Sequence, residues 1–208
     1  MHRLTFPIAA IGVTLIVLLT VLGGLAFPGY SHLSQFISEL GARGAPSEMM
    51  VRLAGFLPAG LLLCLFAWLA RSALPASSLT TVGLIGVGIY AAGYVVAAFF
   101  PCDLGCRPAD PSVSQLIHNA AGMVGYVLAP GAMLCLAIAA LRWPGAKYLA
   151  VAGFLLAIVS AAGLITLSPN SPYVGLSQRL IEISVLSWVL LCAFYIRSRA
   201  KREASPLA

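Results

Sequence analysis

Apolar residues occur in this chain in long runs, and the polar residues fall almost entirely between them. Six runs can be marked, at roughly 7–27, 49–70, 78–100, 114–141, 147–168 and 176–196. Each is close to the length of about 20 residues that an α-helix needs to cross the hydrocarbon layer of a bilayer. In hydrocarbon every backbone N–H and C=O must be bonded within its own segment, so such runs predict helices. The fold class expected is all-α, a six-transmembrane-helix bundle, with 1–208 as a single integral membrane domain and a basic, frayed tail over 197–208. The first run follows Met1-His2-Arg3 in the manner of a signal peptide. Its apolar stretch exceeds the usual length of about 7–15 residues, and Phe27-Pro28-Gly29 is a poor cleavage site, which predicts a retained helix.

The segments between the runs carry their own patterns. After Pro28-Gly29, the residues Leu33, Phe36, Ile37 and Leu40 fall at i, i+3, i+4 and i+7. That stripe predicts a short interfacial helix after the first span, ending near Gly41. Pro58, followed by Ala59-Gly60, and Pro130, followed by Gly131, predict kinks in the second and fourth helices. Gly83, Gly86, Gly88 and Gly93 give the third helix a surface that a neighbouring backbone can approach closely. The fourth helix can be capped either by Asp110-Pro111 or by a capping box at Ser112-x-x-Gln115. A loose repeat also shows: Ser34-Gln35, Ser114-Gln115 and Ser177-Gln178 each follow a proline, and Glu39, Asn119 and Glu182 stand four residues after each Gln. A threefold hairpin repeat and a chance recurrence both remain open.

Composition sharpens the class: 61% of the residues are hydrophobic and 9% charged, against about 25% charged in soluble domains. The net charge of +6 would suit an anionic partner such as nucleic acid, but the placement of the charges gives another cause. Six spans put both termini on one side, which collects Arg3, Arg71, Arg142, Lys147, Arg197, Arg199, Lys201 and Arg202. The other side holds Arg43, Arg52, Arg107 and Arg179. By the positive-inside rule the termini are cytoplasmic and the membrane is a cell (inner) membrane, with contact to lipid headgroups and no nucleic-acid partner. The acids Glu39, Glu48, Asp103, Asp110 and Glu182 gather at the outer end, so polar work is expected there.

Candidate chemistry centres on residues 99–119, which place Cys102, Asp103, Cys106, Arg107, Asp110 and His118 between two apolar runs. Cys102 and Cys106 suit a disulfide that ties an outer loop, with thiol exchange or a metal site as alternatives. His118, about one turn into the fourth helix, is either a hydrogen-bonded interface histidine or a general base. In the second case it needs an orienting carboxylate, for which Asp103 and Glu39 are candidates. Arg179 and Glu182 form either a local ion pair or a ligand anchor, with Ser38 and Asn119 as further polar groups. No metal and no cofactor is expected: histidines deep enough to bind haem are missing, as are the phosphate, dinucleotide and zinc-protease motifs.

At Ile37-Ser38-Glu39-Leu40-Gly41, then Phe100-Pro101-x-Asp103, then His118, the chain resembles the prokaryotic membrane family called domain of unknown function 998. The resemblance runs from the first helix into the sixth. It implies a multi-pass membrane protein of six helices with no established reaction, and it points to Ser38, Glu39, Gly41, Pro101, Asp103 and His118. The cysteine pair lies outside the common pattern, so the family implies no redox role for it. The function expected is an integral membrane protein whose outer pocket binds a lipid or lipid-linked headgroup. Two alternatives stand beside it: a membrane-embedded enzyme using His118 as acid/base on a lipid, and a structural protein that packs against a membrane partner or a second copy of itself.

Overall fold

The computed structural model describes residues 2–204. Its long helices are α1 (Thr5–Ala26), α2 (Leu57–Ala73), α3 (Ser78–Phe99), α4 (Val113–Ala140), α5 (Lys147–Thr166) and α6 (Val174–Ala204). A π-helical turn at Met50–Phe56 leads into α2, and there is no strand among the described residues. Among the described residues six helices are long and apolar enough to cross a membrane, and their ends fall within a few residues of the hydrophobic runs except at the end of α6. Each helix packs on the next in sequence, and α6 closes the ring against α1. Leu25, Trp68, Ile158 and Ile165 stand exposed on the outside of the bundle, a surface suited to acyl chains.

The basic tail differs from expectation. The helix continues through it to Ala204, while residues 205–208 lie outside the described residues. Tyr195 and Ile196 are buried, the Arg197 guanidinium lies 4.7 Å from the centre of the Phe6 ring, and the Tyr195 hydroxyl donates to Pro144 O at 3.2 Å. These bonds tie the last turns to α1 and to the α4–α5 loop, which a frayed segment could not sustain.

Of the interfacial helix expected over Ser31–Gly41, only a short 3-10 helix at its end forms. The chain runs through turns to an extended Phe36 and then a five-residue 3-10 helix, Ile37–Gly41. An α-helix here would bond Ile37 N–H to Leu33 C=O, and α6 takes both groups. Ile37 N–H donates to Gln178 Oε1 at 2.6 Å, and Leu33 C=O accepts from Leu176 N–H at 3.0 Å. The segment is drawn into the end of the bundle, so Ile37, Glu39 and Leu40 are buried and Leu33 is left outside.

Pro58 acts at the point where the sequence placed it. The π-helical turn ends beside it, with Leu57 N–H bonded to Arg52 C=O five residues back, and α-helical register begins with the proline in the first turn of α2. In α4, Pro130 lies inside a single α-helical span. Where α3 meets α4, a Cβ on Gly83 would stand 2.5 Å from Leu136 Cγ, and one on Gly86 would stand 2.6 Å from Ala132 Cβ. A Cβ on Gly122, also in α4, would meet nothing within 4 Å.

Gly83→Ala and Gly86→Ala should each destabilise the bundle by about 1–3 kcal/mol through overpacking. Gly122→Ala should leave stability unchanged or raise it by up to about 1 kcal/mol. Thermal unfolding in one detergent measures all three, and equal midpoints would refute the close approach of α3 and α4.

Candidate functional site

Glu182 lies two turns into α6 and is buried between α3 and α4. On α3, Tyr90 and Tyr94 stand four residues apart and therefore on one helix face. Both hydroxyls donate to Glu182 Oε2, and the two are 3.0 Å from each other. From α4 the Tyr126 hydroxyl donates to Glu182 Oε1 at 2.7 Å and itself accepts from Gln178 Nε2 at 2.7 Å. Three donors replace the water that the carboxylate loses on burial.

Arg179 spends its hydrogen bonds elsewhere. Its guanidinium donates to Gln35 O at 3.1 Å, Gly175 O at 3.0 Å, the Tyr30 hydroxyl at 2.8 Å and His32 Nδ1 at 2.7 Å. It therefore binds the 30–36 segment to α6 rather than pairing with Glu182. A guanidinium can only donate, so His32 Nδ1 accepts and the ring is neutral. Burial first, and then the positive charge of Arg179, hold that imidazole below its ordinary range.

The 101–112 loop is built around Asp103, between the disulfide-bonded Cys102 and Cys106. The Asp103 carboxylate accepts from Ser112 N–H at 2.9 Å and from the Ser112 hydroxyl at 2.8 Å. Ser112 Oγ in turn accepts from Gln115 N–H at 3.2 Å, so Ser112 rather than Asp110 caps α4. The Gln115 side chain does not close a capping box. Its Oε1 accepts from Asp103 N–H at 2.8 Å and its Nε2 donates to Asn119 Oδ1 at 2.8 Å. Ser112's backbone and hydroxyl donors hold the Asp103 carboxyl below the usual carboxylate range. Arg107 reaches across the loops, donating to Pro169 O at 2.6 Å and Ser34 O at 3.0 Å, with Glu39 at 3.6 Å and the Phe36 ring beneath it.

His118 is half-buried, with Nδ1 3.0 Å from Phe100 O. A carbonyl only accepts, so Nδ1 carries the proton, and in the neutral ring Nε2 is left as an acceptor. The orienting carboxylate expected for His118 is not found at either candidate. Asp103 is held by Ser112, and Glu39 accepts from Gln35 Nε2 at 2.8 Å and Phe36 N–H at 2.9 Å. Both acids organise their own loops, and a backbone carbonyl orients the imidazole.

A cavity of about 50 Å³ lies against Glu182, walled by Phe56, Tyr90, Tyr94, Tyr126, Ser38, His118 and the small residues Gly93, Ala97 and Gly122. It shares Ser38, His118, Gly122, Tyr126 and Gln178 with a wider groove of about 210 Å³, which runs past Asn119 and Met123 to Leu167 and Pro169. Asn119 and Met123 are exposed, so the groove reaches the outside of the bundle. Of the residues singled out in the sequence, Ser38, His118, Asn119 and Glu182 line this space, while Glu39, Asp103 and Arg179 do not. Tyr90, Tyr94, Tyr126 and Gln178 were missed as site residues. The Tyr90/Tyr94 spacing, in a helix otherwise made largely of Gly, Ala and Val, was the available signal. No group of three or more His, Cys, Asp or Glu side chains suited to a metal ion occurs among the described residues.

The Asp103 bonds have a testable pH signature. A carboxyl group whose pKa is lower folded than unfolded stabilises above its unfolded value, about 3.9, and loses that contribution as the pH falls further. Asp103→Ala should lower the unfolding midpoint by a few degrees at pH 7 and equally at pH 5. The two proteins should converge below about pH 4. A difference that persists unchanged into acid would show that the loop does not depend on the ionised carboxylate.

Nothing among curated proteins or solved structures matches the chain. A family model described as Protein of unknown function (DUF998) matches residues 10–195, which runs from within α1 into α6 and takes in every residue of the cavity. The chain belongs to the DUF998 family.

Proposed function

We propose that this protein binds a lipid or lipid-linked headgroup in the cavity between α3, α4 and α6. In this reading it resides in a cell (inner) membrane with both termini cytoplasmic, an orientation supported by the excess of Arg and Lys near the ends of the chain and in the 71–77 and 141–147 turns. One observation carries the binding reading: a buried polar end, with Glu182, the tyrosine hydroxyls, Ser38 and His118, continues into a groove whose apolar wall of Met123, Leu167 and Phe36 reaches the bundle surface. A polar end inside and an apolar groove leading out match an amphiphile that enters headgroup first.

A second reading rests on the same site. The Phe100 carbonyl fixes the His118 ring and leaves Nε2 beside the cavity, where it can accept a proton from a bound hydroxyl or amine. Binding comes first in either case.

Gly122→Leu tests the binding reading. A Cβ at Gly122 meets nothing within 4 Å and the residue lines both the cavity and the groove, so leucine there should occupy that space. The parent protein, purified in mild detergent, should carry a lipid adduct in native mass spectrometry. Gly122→Leu should keep the parent's unfolding midpoint to within a few degrees and lose the adduct. A parent without adduct after reconstitution with cell lipid extract, or a variant that retains it, would sink the reading.

A further inference from the structure

The chemistry of the cavity wall goes further than its shape and selects a class of headgroup. This step rests on the binding reading above. The residues lining the cavity and the groove include one formally charged side chain, Glu182, and no Lys or Arg. Three arginines at this end of the bundle are committed to loop closure: Arg179 and Arg107 as described, and Arg52 to Ala98 O at 2.9 Å and Glu48 at 2.5 Å, while Arg43, the fourth on this side, does not line the cavity. A phosphate brought to the bottom of the cavity would meet the Glu182 carboxylate, while Arg179, whose charge also acts on that carboxylate, lies outside the lining with its donors spent on Gln35, Gly175, Tyr30 and His32.

The remaining wall favours the opposite sign. Phe56, Tyr90, Tyr94 and Tyr126 form a run of aromatic rings around the carboxylate. Their centroids are 5.7 Å apart for Phe56 and Tyr94, 5.6 Å for Tyr90 and Tyr94, and 6.3 Å for Tyr90 and Tyr126. Ring faces attract cations through their quadrupole, and most strongly where water is excluded. The hydrogen-bonding capacity left over is also one-sided. Gln178 is used at both ends, by Ile37 N–H and the Tyr126 hydroxyl. The tyrosine protons are directed at Glu182, which leaves lone pairs on the phenol oxygens, and His118 offers Nε2 as an acceptor. A group that donates several hydrogen bonds and carries positive charge would satisfy all of them at once. The space beside the carboxylate, about 50 Å³, holds a few water-sized groups and is too small for a sugar ring.

We propose that the cavity recognises a primary ammonium, the amine of an ethanolamine-type headgroup, seated on Glu182 within the cage of Phe56, Tyr90, Tyr94 and Tyr126. The lipid phosphate and chains then follow the groove outward past Asn119 and Met123.

The experiment is competition in native mass spectrometry. The detergent-purified full chain is incubated with equal amounts of phosphatidylethanolamine and phosphatidylglycerol of identical acyl chains. The parent should retain the ethanolamine lipid about tenfold over the glycerol lipid, and Glu182→Gln should bring that preference to within about twofold. Glutamine cannot accept all the tyrosine donors, so Phe56→Leu provides a second variant that removes a ring while keeping the carboxylate's bonds. It should reduce the preference about threefold. Adding free ethanolamine separates two sources of the same chemistry. Displacement of the lipid supports recognition of the amine from a soluble source as well, and retention supports a lipid source.

Equal or stronger retention of phosphatidylglycerol, still abolished by Gly122→Leu, would overturn the ammonium site and leave lipid binding intact. Adducts indifferent to Gly122→Leu would overturn both. An ethanolamine preference unchanged in Phe56→Leu would also overturn the cage.

Discussion

A carboxylate withdrawn from bulk water needs donors from the protein, and the arrangement around Glu182 follows from that need. Removing the charge from water costs several kcal/mol, which only good hydrogen bonds offset. The three donors come from two other helices, Tyr90 and Tyr94 from α3 and Tyr126 from α4. Satisfying one side chain therefore fixes the rotation of α3 and α4 about their own axes relative to α6. The small residues supply the proximity that the bonds require, since Gly83 and Gly86 let the two helices meet at a distance that any Cβ would prevent. Nearer the carboxylate the same kind of residue leaves a void instead, because Gly122 faces the cavity rather than a neighbour.

The loops at that end are held by a recurring device that the sequence pattern hinted at. Gln35, Gln115 and Gln178 each accept one loop N–H at Oε1, from Ser31, Asp103 and Ile37 respectively. Each directs its amide toward the residue four positions on: Gln35 to Glu39, Gln115 to Asn119, and Gln178 to Glu182 by way of the Tyr126 hydroxyl. Loops at a membrane surface carry backbone donors that no ladder satisfies, and a buried glutamine, with an acceptor and two donors on one planar group, can join such a donor to a helix. The first copy does so from a turn and the other two from α-helices, so what recurs is the bond pattern rather than the local fold.

What could be read in the sequence divides along the range of the interactions. The spans were legible because each satisfies its own backbone and needs only apolar length. The Ser31–Gly41 segment was misread because its apolar spacing is local, whereas the bonds that decide its conformation join it to Gln178 and Leu176 far along the chain. Asp103 stood out as an acid beside His118, but the side chain is satisfied within its own loop by Ser112. Glu182, Ser38 and His118 were visible as polar residues in an apolar chain. The tyrosines that complete the site were not, because a tyrosine in a membrane helix reads equally well as an interface residue until its partner is known.

The distribution of charge at this end of the bundle connects the fold to the proposed selectivity. Arg52, Arg107 and Arg179 all lie near the cavity, yet each gives hydrogen bonds to backbone carbonyls of neighbouring segments. Their positive charge is held toward the loops, whereas the negative charge of Glu182 is held at depth. A charged group about 4 Å from the carboxylate experiences about 4 kcal/mol at an effective dielectric constant near 20, with the sign set by its own charge. Arg179 also acts on that carboxylate, but its donors are held by Gln35, Gly175, Tyr30 and His32, so none of them reaches a group seated in the cavity. If the proposed selectivity holds, loop closure by arginine and ligand selection by glutamate are two parts of one arrangement. On the proposed reading, Arg52, Arg107 and Arg179 are occupied in building the rim, and a positively charged headgroup is what the Glu182 end of the cavity selects.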